Sequence, residues 1–164
     1  MEILVDGYNV IGSEEGLRGA LEDKRNRLLR QLSAYYQLKG YPVTVVFDGW
    51  RSGWGSEVEA KRDGLTIVYS QRGEKADSVI IRRARQKGSG TIVVTSDREI
   101  RNAVQRFGAV ALYAGEFSAI LRNLETARDS EEPDSRPRLP KKGNPRRLSK
   151  NERKRREKLK KLKP

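Results

Sequence analysis

The 164-residue sequence contains no cysteine and no histidine. Without thiols there can be no disulfide, thiolate zinc site or cysteine nucleophile. Without imidazole the chain loses the usual general base, the Ser-His-Asp triad and the commonest nitrogen ligand for metals. Any hydrolytic chemistry therefore falls to carboxylates, Ser, Lys, Tyr or a metal held by oxygen. No apolar run reaches membrane length, and the first one, Ile3-Leu4-Val5, stands behind a lone Glu2 rather than a basic leader. A cytoplasmic protein without a membrane partner is expected.

Positive charge, by contrast, is abundant: 35 Lys and Arg against 22 Asp and Glu give a net charge of +13. A polyanion is the expected partner, because cations that neutralise phosphates release condensed counterions on binding. The excess is uneven. Residues 129–164 hold 15 basic and 6 acidic side chains, or +9, which leaves 20 minus 16, or +4, for the first 128.

Short runs rich in β-branched residues predict strands at Glu2–Val5, Val43–Phe47, Leu65–Tyr69, Thr91–Thr95 and Ala109–Tyr113. Helices are expected between most of them. Leu17, Leu21, Leu28, Leu32 and Tyr35 recur at helical spacing up to a stop at Gly40, and Asp77–Lys87, Asp97–Phe107 and Glu116–Ala127 supply three more. The alternation implies an α/β three-layer sandwich with a mostly parallel central sheet. The connection from Gly49 to Gly64, with Trp50, Arg51 and Trp54, reads mostly as a functional or mobile loop. Residues 1–128 then form one folded domain and residues 129–164 a basic, low-complexity tail, too poor in apolar residues to bury itself. Ser149 and Glu152 fit a capping box, so the end of that tail is a nascent helix in need of a partner.

In a doubly wound sheet, ligands bind beyond the carboxyl ends of the strands, near the point where strand order reverses. Those ends are acidic here. The first strand runs into Asp6-Gly7-Tyr8-Asn9, the second into Asp48-Gly49 and the fourth into Thr95-Ser96-Asp97-Arg98, while Asp77 opens the helix after the third. Carboxylates gathered in one cleft repel one another, which suits a hard cation such as Mg²⁺ or Mn²⁺. Each acid also has a structural reading: Asp6-Gly7 and Asp48-Gly49 are turn dipeptides, and Asp77 suits a helix start. Asp97 is less easily explained away, since Ser96 and Glu99 would already make a capping box. Asn9 either orients a ligand or holds its turn. Lys75, Arg82 and Arg98 stand near the acids and are candidates for phosphate contacts, Trp54 with Arg51 for stacking on bases. In the tail, Lys141, Lys142, Arg146, Arg147, Arg153, Lys154, Arg155 and Arg156 are candidates for electrostatic docking on RNA.

As an ordered set, Val5-Asp6-Gly7-Tyr8-Asn9-Val10-Ile11, Val46-Phe47-Asp48-Gly49, Lys75-Ala76-Asp77 and Val93-Val94-Thr95-Ser96-Asp97-Arg98-Glu99 resemble the NYN domain of the YacP-like branch of PIN-like nucleases. The resemblance covers about residues 1–125 and leaves the basic extension outside. It implies a PIN-like fold, dependence on Mg²⁺ or Mn²⁺, cleavage of RNA and, in bacterial members, association with translating ribosomes. Asp6, Asp77 and Asp97 match the family's acidic cluster, with Asn9 beside it, and Asp48 sits on a family motif. Such domains often self-associate, although no apolar patch here marks a homo-oligomer interface.

The expectation is therefore an endoribonuclease in which metal-activated water cuts single-stranded or ribosome-associated RNA, messenger or ribosomal, with Asp6 as the central ligand. Its rival is a non-catalytic RNA- or ribosome-binding module that keeps the same fold. A receiver-like phosphoryl-handling domain would want a lysine near the last strand, and no lysine lies between Lys87 and Lys141.

Overall fold

The computed structural model describes residues 1–49, 55–129 and 149–163. Six strands, β1 (Glu2–Asp6), β2 (Val43–Phe47), β3 (Val58–Arg62), β4 (Leu65–Tyr69), β5 (Thr91–Val94) and β6 (Val110–Leu112), form one sheet in the order β3-β4-β2-β1-β5-β6. All neighbours are parallel except β3 and β4. The helices are α1 (Gly7–Glu15), α2 (Leu21–Lys39), α3 (Ala76–Lys87), α4 (Arg98–Arg106), α5 (Ala114–Asp129) and α6 (Lys150–Leu162). Among the described residues no helix is long and apolar enough to cross a membrane.

The strands are apolar on both sides because both faces are covered. Ile3, Val5, Val43, Val45, Ile92 and Val94 pack with Val10, Leu28, Leu32, Phe117 and Leu121 of α1, α2 and α5. Their alternate neighbours Leu4, Val46 and Val93 pack with Val79 and Ile80 of α3 and Ile100 and Val104 of α4. This is the expected three-layer α/β sandwich. Strand order reverses at β1, which lies between β2 and β5. Side chains alternate along a strand, so Asp6, two residues beyond Leu4, and Asp48, two beyond Val46, belong to the face that α3 and α4 cover.

The expectations of a loop and of a single first helix are corrected. The stretch read as mostly loop contains β3, an antiparallel edge strand joined to β4 by Asp63 and Gly64, whose φ angles of 51° and 82° are those of a two-residue primed hairpin turn. Trp50, Arg51 and Trp54 lie outside the described residues. The chain after β1 enters α1 directly and breaks at Gly16 (φ 72°), so Leu17 falls between helices and is exposed.

The C-terminal segment is also more integrated than its composition suggests. Ser149 and Glu152 form the expected capping box. The partner that the helix needs is the rest of the chain: Leu162 is fully buried in the core cluster that holds Tyr35 and Phe117, and the Tyr35 hydroxyl donates to its carbonyl at 3.1 Å. Residues 141–147 lie outside the described residues. Replacing Leu162 by Ala removes a buried side chain and should lower stability by about 2–4 kcal/mol. Urea denaturation followed by far-UV circular dichroism measures the loss; an unchanged midpoint would mean that α6 is not anchored through this residue.

Candidate active site

The carboxyl ends of β1, β2 and β5 converge where the two halves of the sheet meet. Asp6 ends β1 as a buried residue, 7% exposed, and N-caps α1: its Oδ1 accepts from Asn9 N at 3.3 Å. Its Oδ2 accepts from the Thr95 hydroxyl at 3.0 Å, and Thr95 Oγ1 in turn accepts from Asp97 N at 3.1 Å. Asn9 Oδ1 accepts from Ser96 N at 2.8 Å. The β1–α1 and β5–α4 junctions are thus tied together by two separate bonds, one through each of Asp6 and Asn9. The Asn9 side chain thus holds backbone, not of its own turn as one reading expected, but of the loop that carries Asp97.

The glycines after the strand-end aspartates are needed for close approach. A Cβ on Gly7 would stand 2.2 Å from the Phe47 ring, and one on Gly49 would stand 1.7 Å from the Ser70 carbonyl oxygen. Gly49 N also donates to Ser70 Oγ at 2.9 Å, and Ser70 donates to Glu74 O at 2.7 Å. That network brings the start of α3 to the end of β2, where Asp48 Oδ1 accepts from Ala76 N at 2.7 Å. Asp48 therefore caps α3, with Lys75 as the residue before the first turn and Asp77 within it.

The role expected of Ser96 is corrected. Asp97, not Ser96, N-caps α4: its Oδ1 accepts from Glu99 N at 2.7 Å and Ile100 N at 3.1 Å. Ser96 instead accepts from Ala114 N at 3.2 Å and so ties the site to the start of α5. Sequence reading also missed Thr95 and Ser70. Thr95 was accessible in principle, because the register Val5–Val94 places it beside Asp6.

Asp6 and Asp77 both feel the charge of neighbouring acids. The Asp6 pKa stands raised to about 6, chiefly by burial and further by the charges of Asp77 and Asp48, against the lowering effect of the bonds from Thr95 and Asn9. Asp77 is likewise shifted upward by burial, then by Asp97 and Asp48, with Lys75 opposing. An all-oxygen set of mutually repelling carboxylates has the chemistry of a hard-cation site. Among the described residues no three acidic side chains form a ready-made cage. Mg²⁺ does not need one, since it keeps several waters and commonly takes only one or two carboxylates plus substrate phosphate. The bonds to Asp48 and Asp97 engage Oδ1 in each case, which fixes the carboxylate plane much as outer-shell donors orient metal ligands.

The basic candidates differ in their surroundings. Arg98 opens α4 and is exposed, and Lys75 is exposed beside Asp77. Arg82 is committed to ion pairs with Glu57 and Glu74, which offset its charge. On α6, Arg153, Lys154 and Arg156 are exposed, whereas Arg155 pairs with Glu116 and lies 4.9 Å from the centre of the Tyr113 ring. A polar cavity of about 570 Å³, lined by Glu22, Arg30, Arg62 and Asp63 among others, lies against α2 on the opposite face from Asp6.

The raised pKa of Asp6 has a consequence for metal-free protein. Below about pH 4 Asp6 is protonated in both folded and unfolded chains and carries no penalty. Between about pH 4 and 6 the unfolded chain ionises first, and above pH 6 the folded state bears the whole cost, about 3 kcal/mol at most. Asp6→Asn should therefore melt several degrees higher than wild type at pH 8 in EDTA, with the difference fading towards pH 4. Differential scanning calorimetry across that range checks it; an Asn variant less stable at pH 8 would show that Asp6 stabilises the apo fold as an ion.

The fold has known counterparts. The YacP-like NYN domain family matches residues 3–163, so the likeness runs through α6 and includes the extension that the sequence motifs left outside. Two crystal structures of Rae1 (YacP) from Bacillus subtilis are similar. One, of a tryptophan-to-leucine mutant, has 26% identity and a TM-score of 0.65, covering 79% of this chain and 80% of that one. The other has 25% identity and a TM-score of 0.64, covering 79% and 78%. No curated protein sequence matches. With the family matched over nearly its whole length and the fold shared with solved members, the chain belongs to the YacP-like NYN domain family of PIN-like nucleases.

Proposed function

We propose that the protein is an endoribonuclease that cuts single-stranded or ribosome-associated RNA with the help of Mg²⁺ or Mn²⁺. The observation that carries this reading is the buried Asp6 carboxylate, held in place by Thr95 and Asn9 and raised in pKa by burial and by the charges of Asp77 and Asp48. With a divalent cation bound, a coordinated water becomes acidic enough to serve as nucleophile near neutral pH, and charge building on the phosphate is offset.

The residues have distinct parts in this reading. Asp6 is the central ligand, Asp77 and Asp97 complete the set, and Asp48 adds charge from the other side while capping α3. Asn9 positions, through Ser96 N, the loop that bears Asp97. Lys75 and Arg98, exposed beside Asp77 and Asp97, face incoming phosphate. The basic face of α6 supplies longer-range attraction for RNA, ribosomal or messenger, and a ribosome offers the densest such polyanion in a cytoplasm.

Purified protein with Mn²⁺ or Mg²⁺ should cleave single-stranded RNA or ribosome-bound message, EDTA should stop it, and Asp6→Asn should reduce the rate by roughly 100-fold or more while the fold persists. Gel analysis of end-labelled RNA reads the outcome. RNA binding that survives EDTA with no cleavage of any of these substrates would instead favour the non-catalytic module.

Because Leu162 is part of the core, the contribution of α6 is better tested by charge than by truncation. Arg153→Gln, Lys154→Gln and Arg156→Gln together should weaken single-stranded RNA binding and flatten the plot of log K against log salt by about 2, given about 0.7 per phosphate contact. Fluorescence anisotropy measures both; an unaltered slope would reduce these residues to a solubilising face.

A further inference from the structure

We infer that Arg101, laid on the Tyr113 ring and flanked by Arg155 of α6, is a phosphate-binding subsite for the RNA strand beside the carboxylate cluster, an assignment that rests on the RNA-directed reading above. Three independent features of the structure point to it.

The first is position. Tyr113 directly follows β6, which runs parallel to β5 and β1, so it emerges at the same end of the sheet as Asp6 and Asp97. The two junctions are joined: Thr95 N donates to Leu112 O at 3.0 Å, and Ala114 N donates to Ser96 Oγ at 3.2 Å. Arg101 lies one turn along α4 from Arg98 and Asp97, on a helix whose first turn is anchored by the Asp97 cap. A strand of RNA leaving the carboxylates towards β6 would therefore meet Arg98 and then Arg101.

The second is chemistry. The Arg101 guanidinium carbon stands 3.8 Å from the centre of the Tyr113 ring. Stacking engages the face of the guanidinium and leaves its in-plane N–H fork, the geometry that suits a phosphate. Among the described residues no carboxylate pairs with Arg101 and no hydrogen bond reaches its terminal nitrogens, whereas Arg82, Arg83, Arg122 and Arg155 all have acidic partners. Among the described residues Tyr113 is itself one of three large hydrophobic residues that stand exposed, at 39%.

The third is the unmet donors. The Nε–H groups of Arg101 and Arg155 are both buried with no hydrogen-bond acceptor. Both guanidiniums are thus held at the Tyr113 ring, 3.8 and 4.9 Å from its centre, by stacking and packing rather than by satisfied hydrogen bonds throughout. An anion at the exposed ring would be attracted by both cations. Arg155 offsets part of its charge against Glu116, so Arg101 carries the principal contact and Arg155 the supporting one. In this arrangement the C-terminal helix completes a site formed by α4 and β6.

The test uses full-length protein in EDTA and a fluorescein-labelled single-stranded oligoribonucleotide, with anisotropy titrations over a range of KCl. Arg101→Gln should weaken binding about tenfold at moderate salt and reduce the salt slope by about 0.7, one phosphate contact. Arg101→Lys should keep the slope and lose part of the affinity. In the wild type, phenylglyoxal should modify Arg101 in free protein and not in the RNA complex, a readout by mass spectrometry that needs no variant to fold. An Arg101→Gln variant with wild-type affinity and slope, or Arg101 modified equally with and without RNA, overturns the assignment. The two readings separate cleanly: a slope reduced by Arg101→Gln in a protein that cuts no RNA with Mn²⁺ supports the subsite and rejects the nuclease. Cleavage by a wild type whose RNA binding ignores Arg101 does the reverse.

Discussion

A carboxylate buried at the point where a parallel sheet changes direction is the constraint around which the rest of this protein is arranged. Asp6 is desolvated enough that its pKa rises to about 6 in spite of two hydrogen bonds that oppose the shift. Burying such a group without a compensating charge is unfavourable, and the surroundings add to the difficulty, because the charges that act on it are those of the acids Asp77 and Asp48. The neighbouring sequence is best understood as what it takes to hold that group still. Gly7 leaves room for Phe47, Thr95 turns its hydroxyl onto Oδ2, and Asn9 bridges to Ser96. In the reading proposed above, a divalent cation bound there would reverse the sign of the electrostatics, and the geometry that is unfavourable in the metal-free protein would become favourable.

How much of this was legible in the sequence depended on the length scale of the signal. Val43–Phe47 and Leu65–Tyr69 were read to the residue, because a β-branched run buried on both faces leaves few alternatives. β3 was missed for the opposite reason. Val58-Glu59-Ala60-Lys61-Arg62 is an edge strand whose charges face solvent and guard against edge pairing, so its composition looks like loop; Asp63-Gly64, a hairpin dipeptide, is a signal of it that the loop reading passed over. At the site, the acids were legible as a set, since strand ends in a parallel sheet gather at one edge. Their hydrogen bonds were not. Ser96 followed by Glu99 satisfies the capping pattern, yet Asp97 takes the cap and Ser96 reaches Ala114, a choice settled by where α5 begins in space.

The C-terminal helix shows why composition misjudges short segments. Nine of the residues in Lys150–Lys163 are Lys or Arg, and a helix of that kind has little reason to be stable alone. Docking needs only a narrow stripe. Arg155, Lys158, Leu159 and Leu162 recur at helical spacing; Leu162 fills the core, Leu159 packs against it, Lys158 reaches Met1 Sδ at 3.7 Å, and Arg155 pairs with Glu116. Charged side chains with long apolar stems can form much of an interface, and an average over the segment cannot register it. The Tyr35–Leu162 bond then closes the helix end against α2.

Acid cluster and basic surface pose opposite problems for a polyanion. For the nuclease proposed here, a group of carboxylates would repel RNA at the place where the phosphodiester has to arrive, and the net charge of +13 does not cancel that locally. Solvent-exposed charges are screened beyond roughly 8–10 Å at physiological salt, so Arg153, Lys154 and Arg156 can raise the concentration of RNA near the protein without fixing where the strand lies. Register has to come from cations within contact distance of the carboxylates and held in one orientation. Arg82 fails that requirement because Glu57 and Glu74 already claim it. Arg98, exposed next to Asp97, and Arg101, one turn further along α4 and held on the Tyr113 ring, have no acidic partner among the described residues. In the proposed reading attraction would therefore be spread over α6, while positioning would fall to the first turns of α4, the helix that Asp97 caps.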